Sequence, residues 1–226
     1  MQSAWDWEFA WEILPELVRG MVTTVSVTLV GIVIAVVLGL FLALGRRSDK
    51  RLISYPTAGF IEFVRSTPLL IQLFFLYYAL PTTDLPTWLT TWDAFVTLFV
   101  ALGIHYACYA SEAYRAGIES VPRGQWEAAT SLNLRIRTTW RSVILPQAVP
   151  RSLPPLGNYF VAMFKDAPIG SAITVPGVLF VARAIQSATF RSVEPYTIAG
   201  LLFLAVSIPA AMLVRRLERR VAYESD

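Results

Sequence analysis

Apolar stretches bounded by arginine set the plan of this chain. Gly20 to Gly45 holds no Asp, Glu, Lys or Arg over 26 residues, and Arg19 and Arg46 bracket it. A helix needs ~20 residues to cross a ~30 Å hydrocarbon core. Ser66 to Thr83, Ala94 to Ser111 and Pro195 to Val214 are also uncharged, and Ser152 to Ala182 is interrupted only by Lys165 and Asp166. Lipid offers no partner for backbone N–H and C=O groups, so such segments must be helices or strands of a closed barrel. Continuous rather than alternating apolarity selects helices. The pattern predicts an all-α membrane protein of one domain, 1–226, with five transmembrane helices near 20–45, 58–81, 92–115, 149–180 and 195–215.

Small residues recur at helical spacing within two of these runs. Gly31, Ala35, Gly39 and Ala43 form one ridge, and Gly103, Ala107 and Ser111 another. Ridges of this kind let backbones approach closely in lipid and predict a packed bundle.

Composition agrees with a membrane solvent. Hydrophobic residues make up 55% of the chain and charged residues 15%, against roughly 25% charged in soluble domains. The mean hydropathy is +0.54. The net charge of +3 would admit a nucleic-acid partner, but the placement of the charges argues for a membrane. With the N-terminus outside, 14 of the 19 basic residues fall on the inner side: Arg46 to Arg51, Arg115 to Arg151, and Arg215 to Arg220. The excess of Lys and Arg on cytoplasmic loops therefore selects an N-out, C-in orientation. Met1 to Arg19 has no basic start and carries Trp5, Trp7, Phe9 and Trp11, which predicts an interfacial segment with rings at headgroup depth. Cys108 stands alone in an apolar run, and His105 has no second histidine to build a metal site.

The loop between the third and fourth runs, 117–146, is the most informative segment. Pro122 suits a first helical turn. Glu127, Ala128 and Ala129 favour helix. Asn133 suits a left-handed stop. A second short helix, with Ile136, Trp140, Val143 and Ile144 on one face, is expected to end at Pro146. The residues alone admit either a surface amphipathic hairpin or a docking elbow.

The spacing of Glu127, Ala128, Ala129, Asn133, Val143, Leu145 and Pro146 resembles the EAA loop of bacterial ABC importer permeases. Asn133 and Val143 stand where that family usually has Gly and Ile. Arg65-Ser-Thr-Pro-Leu-Leu-Ile-Gln72, Tyr114 to Ile118, Leu145 to Ala148, Leu153 to Asn158 and Lys165-Asp166 are similar to its polar amino acid branch, which serves histidine, glutamine, arginine and opines. The opening Trp5 to Pro15 looks most like ectoine or hydroxyectoine permease subunits.

The resemblance implies a MetI-like permease fold and a chain that is not an enzyme. ATP and Mg would be bound by a partner. Neither Lys50 nor Lys165 lies in a P-loop context. The implied partners are ABC ATPase subunits, a second permease subunit and an extracytoplasmic solute-binding protein, in the lipid of the bacterial inner membrane. Coupling to the ATPase would centre on Arg123, Gly124, Gln125, Trp126, Glu127, Ala128, Ala129, Leu132 and Asn133. The alternative is a stand-alone secondary carrier or channel.

A second set of residues concerns the solute. Lys165 and Asp166 lie ~20 Å along a helix from Arg151, a depth at which ionisable groups usually face a cavity. Pro168 and Gly170 predict a helix break beside them. Family members usually have Thr-Ser where this chain has Ala167-Pro168. Glu62 and Arg65 are spaced to pair on one face, Pro68 is expected to kink the second span, and Thr67 supplies a hydroxyl. Gln72, Asn158 and Asp166 either border a solute path or make interhelical hydrogen bonds.

Overall fold

The computed structural model describes residues 5–223. Residues 1–4 of the aromatic opening segment, and the side chain of Arg220 counted above, lie outside that description. The described residues form helices and no strand.

Helix α1 runs unbroken over Trp7–Arg46. At 1.5 Å per residue it is ~60 Å long, twice the hydrocarbon core. Trp7, Phe9 and Trp11 of the aromatic opening therefore lie on the first turns of the same helix, beyond the length that hydrocarbon needs. Asp6 starts it early, its side chain accepting from the Glu8 and Phe9 amides and satisfying two orphan donors. Pro15 does not break it, because Ala10, Ile13 and Leu17 pack against Ile185 and Ile198 from the end of the chain.

The second apolar run is not one straight span. Helix α2, Arg51–Arg65, turns by 105° into the segment Leu69–Thr82, which opens with α3, Leu69–Phe74. Pro68 lacks the N–H that would continue α2. A π-turn, Phe75–Ala79, and a 3-10 turn follow α3. The short α4, Thr87–Thr90, precedes α5, Ala94–Glu119, which Asp93 caps through the Val96 amide.

Helices α1 and α5 meet along the two predicted ridges. A Cβ on Gly39 would stand 2.8 Å from Ala110 Cβ and 2.9 Å from Ala107 O, and one on Gly103 2.6 Å from Ile34. Bare glycines permit this approach, and many dispersion contacts of ~0.1–0.2 kcal/mol each then hold the pair, since lipid gives no hydrophobic drive between helices.

After α5 come α6, Arg123–Ser131, and α7, Ile136–Thr139. Pro146 does not end the second loop helix. A π-turn over Trp140–Ile144 leads straight into α8, Leu145–Asp166. The wider turn passes the Leu145 amide to Trp140 O and gives the ring of Pro146 room that an α-turn denies it. Helix α8 then breaks where Pro168 and Gly170 predict, into a 3-10 turn, Ala167–Ile173, closed by Thr174 at φ 64. Helix α9, Val178–Thr189, is bent 46° from the segment before it and covers 178–189, beyond the limit expected for the fourth run. Helix α10, Val193–Tyr223, ends the fold. Among the described residues three helices are long and apolar enough to cross a membrane, or up to five spans if each bent pair counts as one.

A polar clamp closes the end of the bundle opposite the elbow. Arg191 donates to Asp6 Oδ2 at 2.8 Å and lies 4.7 Å above the Phe9 ring, while the Asp6 amide donates to buried Glu194 at 3.0 Å. The Arg191 hydrogen bond holds the Asp6 carboxyl below the usual aspartate range.

Candidate functional site

The loop after α5 folds as an elbow with a packed base and an exposed tip. Helix α6 ends in a Schellman motif: the Leu134 amide donates to Ala129 O at 3.1 Å and the Asn133 amide to Thr130 O at 2.9 Å. Asn133 adopts φ 54, the left-handed conformation this motif needs. Asn thus serves where glycine would be usual.

The base is aromatic. Trp126 meets Trp140 edge to face at 5.5 Å, and both pack with Val143 on Ile118, Val121, Ile144 and Ala148. Arg47, from the end of α1, lies 5.7 Å above the Trp140 ring. Arg151 donates to Ser120 O at 2.8 Å and ties α8 to the start of the loop.

This divides the predicted coupling residues. Ala129 is buried, 3% exposed, and Trp126 is half-buried. Both support the elbow from within instead of presenting a surface. Arg123, Gly124, Gln125, Glu127, Ala128, Leu132 and Asn133 are exposed. Leu132 at 72% and Ile136 at 70% give the tip an apolar surface. Arg123 and Glu127 also line, with Trp126, an open cavity of about 430 Å³.

An ion ladder joins this end of α5 to α1. Glu112 accepts from Arg46 and, at 2.7 Å, from Arg115, which also reaches Glu119 at 2.5 Å.

A second polar cluster gathers on one side of α5. Tyr106 donates to Asp166 at 2.6 Å. His105 Nδ1 lies 3.1 Å from Gln72 Oε1. The Gln72 amide nitrogen donates to Val64 O at 2.7 Å, Thr67 Oγ1 at 2.7 Å and Thr67 O at 3.1 Å, so Gln72 clamps the 105° bend. Arg65 lies 5.3 Å above the Tyr109 ring, and Tyr109 meets Tyr159 at 5.5 Å. Lys165 and Asp166 are exposed and border an open cavity of about 500 Å³ beside Leu69, Leu70 and Ser171.

One sequence expectation fails here. No ion pair among the described residues joins Glu62 to Arg65; Arg65 turns to Tyr109 because the helix ends at that residue and the ring lies across from it. Of the two readings of Gln72, Asn158 and Asp166, Asn158 takes the interhelical hydrogen bond: it donates from α8 to Glu218 on α10 at 2.9 Å, eight residues, ~12 Å, from Asp166 along α8.

Comparison with known proteins then decides the family. The sequence of the family described as "Binding-protein-dependent transport system inner membrane component" matches residues 35–223. The chain belongs to this family. The permease is 44% identical over 207 residues to "Probable amino-acid ABC transporter permease protein y4tG" of Sinorhizobium fredii, covering 92% of this chain and 87% of that one. It is 31% identical over 218 residues to "Glutamine transport system permease protein GlnP" of Escherichia coli, with 96% and 97% covered. A solved structure, "Crystal structure of an amino acid ABC transporter with histidines", superposes with a TM-score of 0.87 at 35% identity, over 96% of this chain and 99% of that one. A methionine ABC transporter structure superposes at 0.76 with 18% identity and bears on the fold alone.

The permease is thus a multi-pass inner-membrane subunit of an ABC transport system with a MetI-like all-helical fold. It is a non-enzymatic component, and the ATPase is a separate protein. Sequence reasoning missed the aromatic part of the polar cluster: Tyr106, Tyr109, Tyr159 and His105. The available signal was His105, Tyr106 and Tyr109 falling on consecutive turns of an otherwise apolar run.

Proposed function

We propose that the permease forms half of the solute pathway of an importer for a polar amino acid or a related small zwitterion, working by alternating access. Relatives named for glutamine, nopaline and L-cystine support that substrate class. Ectoine is itself a small zwitterion, and the Trp-rich opening favours it within the class.

The chain lies N-out and C-in with five spans, each bent pair counting as one. The excess of Lys and Arg in the segments read as cytoplasmic, 14 of the 19, supports this orientation. The observation that carries the proposal is the elbow: an exposed face with Glu127 and Leu132, held on the Trp126–Trp140 base. A face so supported can carry force from an ATPase, which binds ATP and Mg, into α5 and α8. Arg123, Gly124, Gln125, Glu127, Ala128, Leu132 and Asn133 make the contact.

Arg65, Thr67, Gln72, Lys165 and Asp166 border the solute path, with Glu62 and Asn158 at its margins. Their open side calls for a second permease chain, identical or homologous, to close it. A solute-binding protein delivers cargo from outside.

Copurification from native membranes tests the elbow. An ATPase subunit should accompany the permease and be lost with Glu127→Lys; an ATPase that remains bound to the variant removes the elbow from the interface. Alanine at Gln72, Asn158 and Asp166, scored separately for uptake and for ATPase activity, tests the path. Unchanged uptake in all three variants would refute it, and competition by ectoine against amino acids would place the solute within the class.

A further inference from the structure

A second, larger cavity than the one beside Asp166 lies away from the polar cluster. It is a groove of about 640 Å³ between α1, α8 and α10, walled by Leu29, Ile32, Val149, Leu153, Phe160 and Leu213, and it shares no residue with the opening beside Asp166. Three side chains lining it carry hydroxyls, and each proton is spent inside the protein. Thr28 donates to Thr24 O at 2.8 Å, Ser152 to Ala148 O at 2.9 Å and Tyr114 to Val36 O at 3.3 Å. A polar solute finds no free donor there. An apolar occupant gains contacts along the whole wall.

Dimensions and charge point to one kind of occupant. On α1 the lining runs from Val25 to Val36, eleven steps of the helix or ~16 Å, and one bilayer leaflet is ~15 Å deep in hydrocarbon. At one end, the lining residues Leu213 and Val214 are followed at once by exposed Arg215 and Arg216, with exposed Arg219 a turn further on. The acid in that stretch, Glu218, is engaged by Asn158. The groove is therefore apolar along its length and cationic at its mouth.

We propose that the groove binds one acyl chain of an anionic phospholipid, with the headgroup phosphate held by Arg215 and Arg216. Basic residues beside a pocket between transmembrane helices supply the charge contact that anionic headgroups need. By the orientation proposed above this lipid belongs to the cytoplasmic leaflet; the leaflet rests on that reading, whereas the groove and its charge do not.

The test is native mass spectrometry of the intact transporter released from nanodiscs of equal phosphatidylglycerol and phosphatidylethanolamine. Phosphatidylglycerol should remain bound, one molecule per permease chain, after bulk lipid is stripped, and exceed retained phosphatidylethanolamine at least tenfold. Arg215→Gln with Arg216→Gln should bring that ratio towards one. Leu153→Trp, which fills the groove, should abolish retention, whereas Val33→Trp, on an exposed part of α1 outside the groove, should leave it unchanged. Retention without headgroup preference, or equal loss in both tryptophan variants, overturns the proposal. So does disulfide cross-linking of a cysteine at Leu213 to the second permease chain, since the groove would then be a protein interface. The same spectra report whether the ATPase is bound, so failure of the importer reading is seen separately from failure of the lipid site.

Discussion

Replacing Gln72 with leucine should loosen the 105° bend between α2 and α3 while leaving the α1–α5 core intact. The Gln72 amide nitrogen has three acceptors within 3.1 Å but only two protons, so it makes two full hydrogen bonds, and its oxygen faces His105 at 3.1 Å. Three such bonds at a net ~1 kcal/mol each come to about 3 kcal/mol. Leucine is similar in size and regains about 1 kcal/mol through the apolar contact of a half-buried side chain. The net loss of about 2 kcal/mol corresponds to a roughly 30-fold rise in local opening. Hydrogen exchange of the solubilised transporter should show that fall in protection across residues 62–72, with no change at residues 100–110. Protection equal to the unmodified protein across the bend would refute the clamp and leave Gln72 as a solute ligand only.

Other perturbations probe different parts of the fold. Gly39→Leu must push α1 off Ala107 and Ala110; the cost should be at least the ~1–3 kcal/mol of overpacking, read as a lower thermal midpoint in detergent, and an unchanged midpoint would mean the helices are not in contact there. Glu112→Gln weakens the shared partner of Arg46 and Arg115. With Glu112 only 15% exposed the loss should be about 1 kcal/mol, and ATPase stimulation by loaded binding protein should fall while solute-independent ATP hydrolysis persists. Acid should release the clamp on the opening of α1. Asp6 titrates below its ordinary value near 3.8 because Arg191 donates to it, so the contact is complete above that value and is lost as pH falls through the lowered one. Protection at residues 8–12, taken relative to the intrinsic exchange rate at each pH, should therefore be flat from neutral pH to about 5 and fall as pH drops through the lowered Asp6 value, and Asp6→Asn should remove the acid-dependent step.

Much of the architecture could be read along the chain because its causes are local. Uncharged runs long enough to cross hydrocarbon have one low-energy solution, a helix, since every backbone polar group must find a partner within its own segment. The small-residue ridges of the first and third runs marked contact faces of a packed bundle, and the close approach of Gly39 to Ala107 and Ser111 puts both ridges in such a contact. Asn133 announced the end of α6 through its tolerance of positive φ. Pro168 and Gly170 announced the break after Asp166. The exposed part of the elbow follows a motif whose spacing is visible without coordinates.

Other features required tertiary structure because their causes lie far apart in sequence. Packing of Ile13 and Leu17 on Ile185 and Ile198 carries α1 through Pro15. Pro146 reads as a stop, but the π-turn before it lets the helix continue. Glu62 and Arg65 have pairing distance on paper, and the ring of Tyr109, forty-four residues on, takes the arginine. Nothing in the sequence distinguishes the buried Ala129 from the exposed Ala128; the side facing the bundle is fixed only when Trp126 packs edge to face with Trp140. Local chemistry thus determined which segments are helical and some of their ends, at Asn133 and at Pro168. Long-range packing decided which faces are buried, which helices bend instead of stopping, and which polar groups come together beside Asp166, because each of those outcomes is the sum of contacts between residues that sequence order keeps apart.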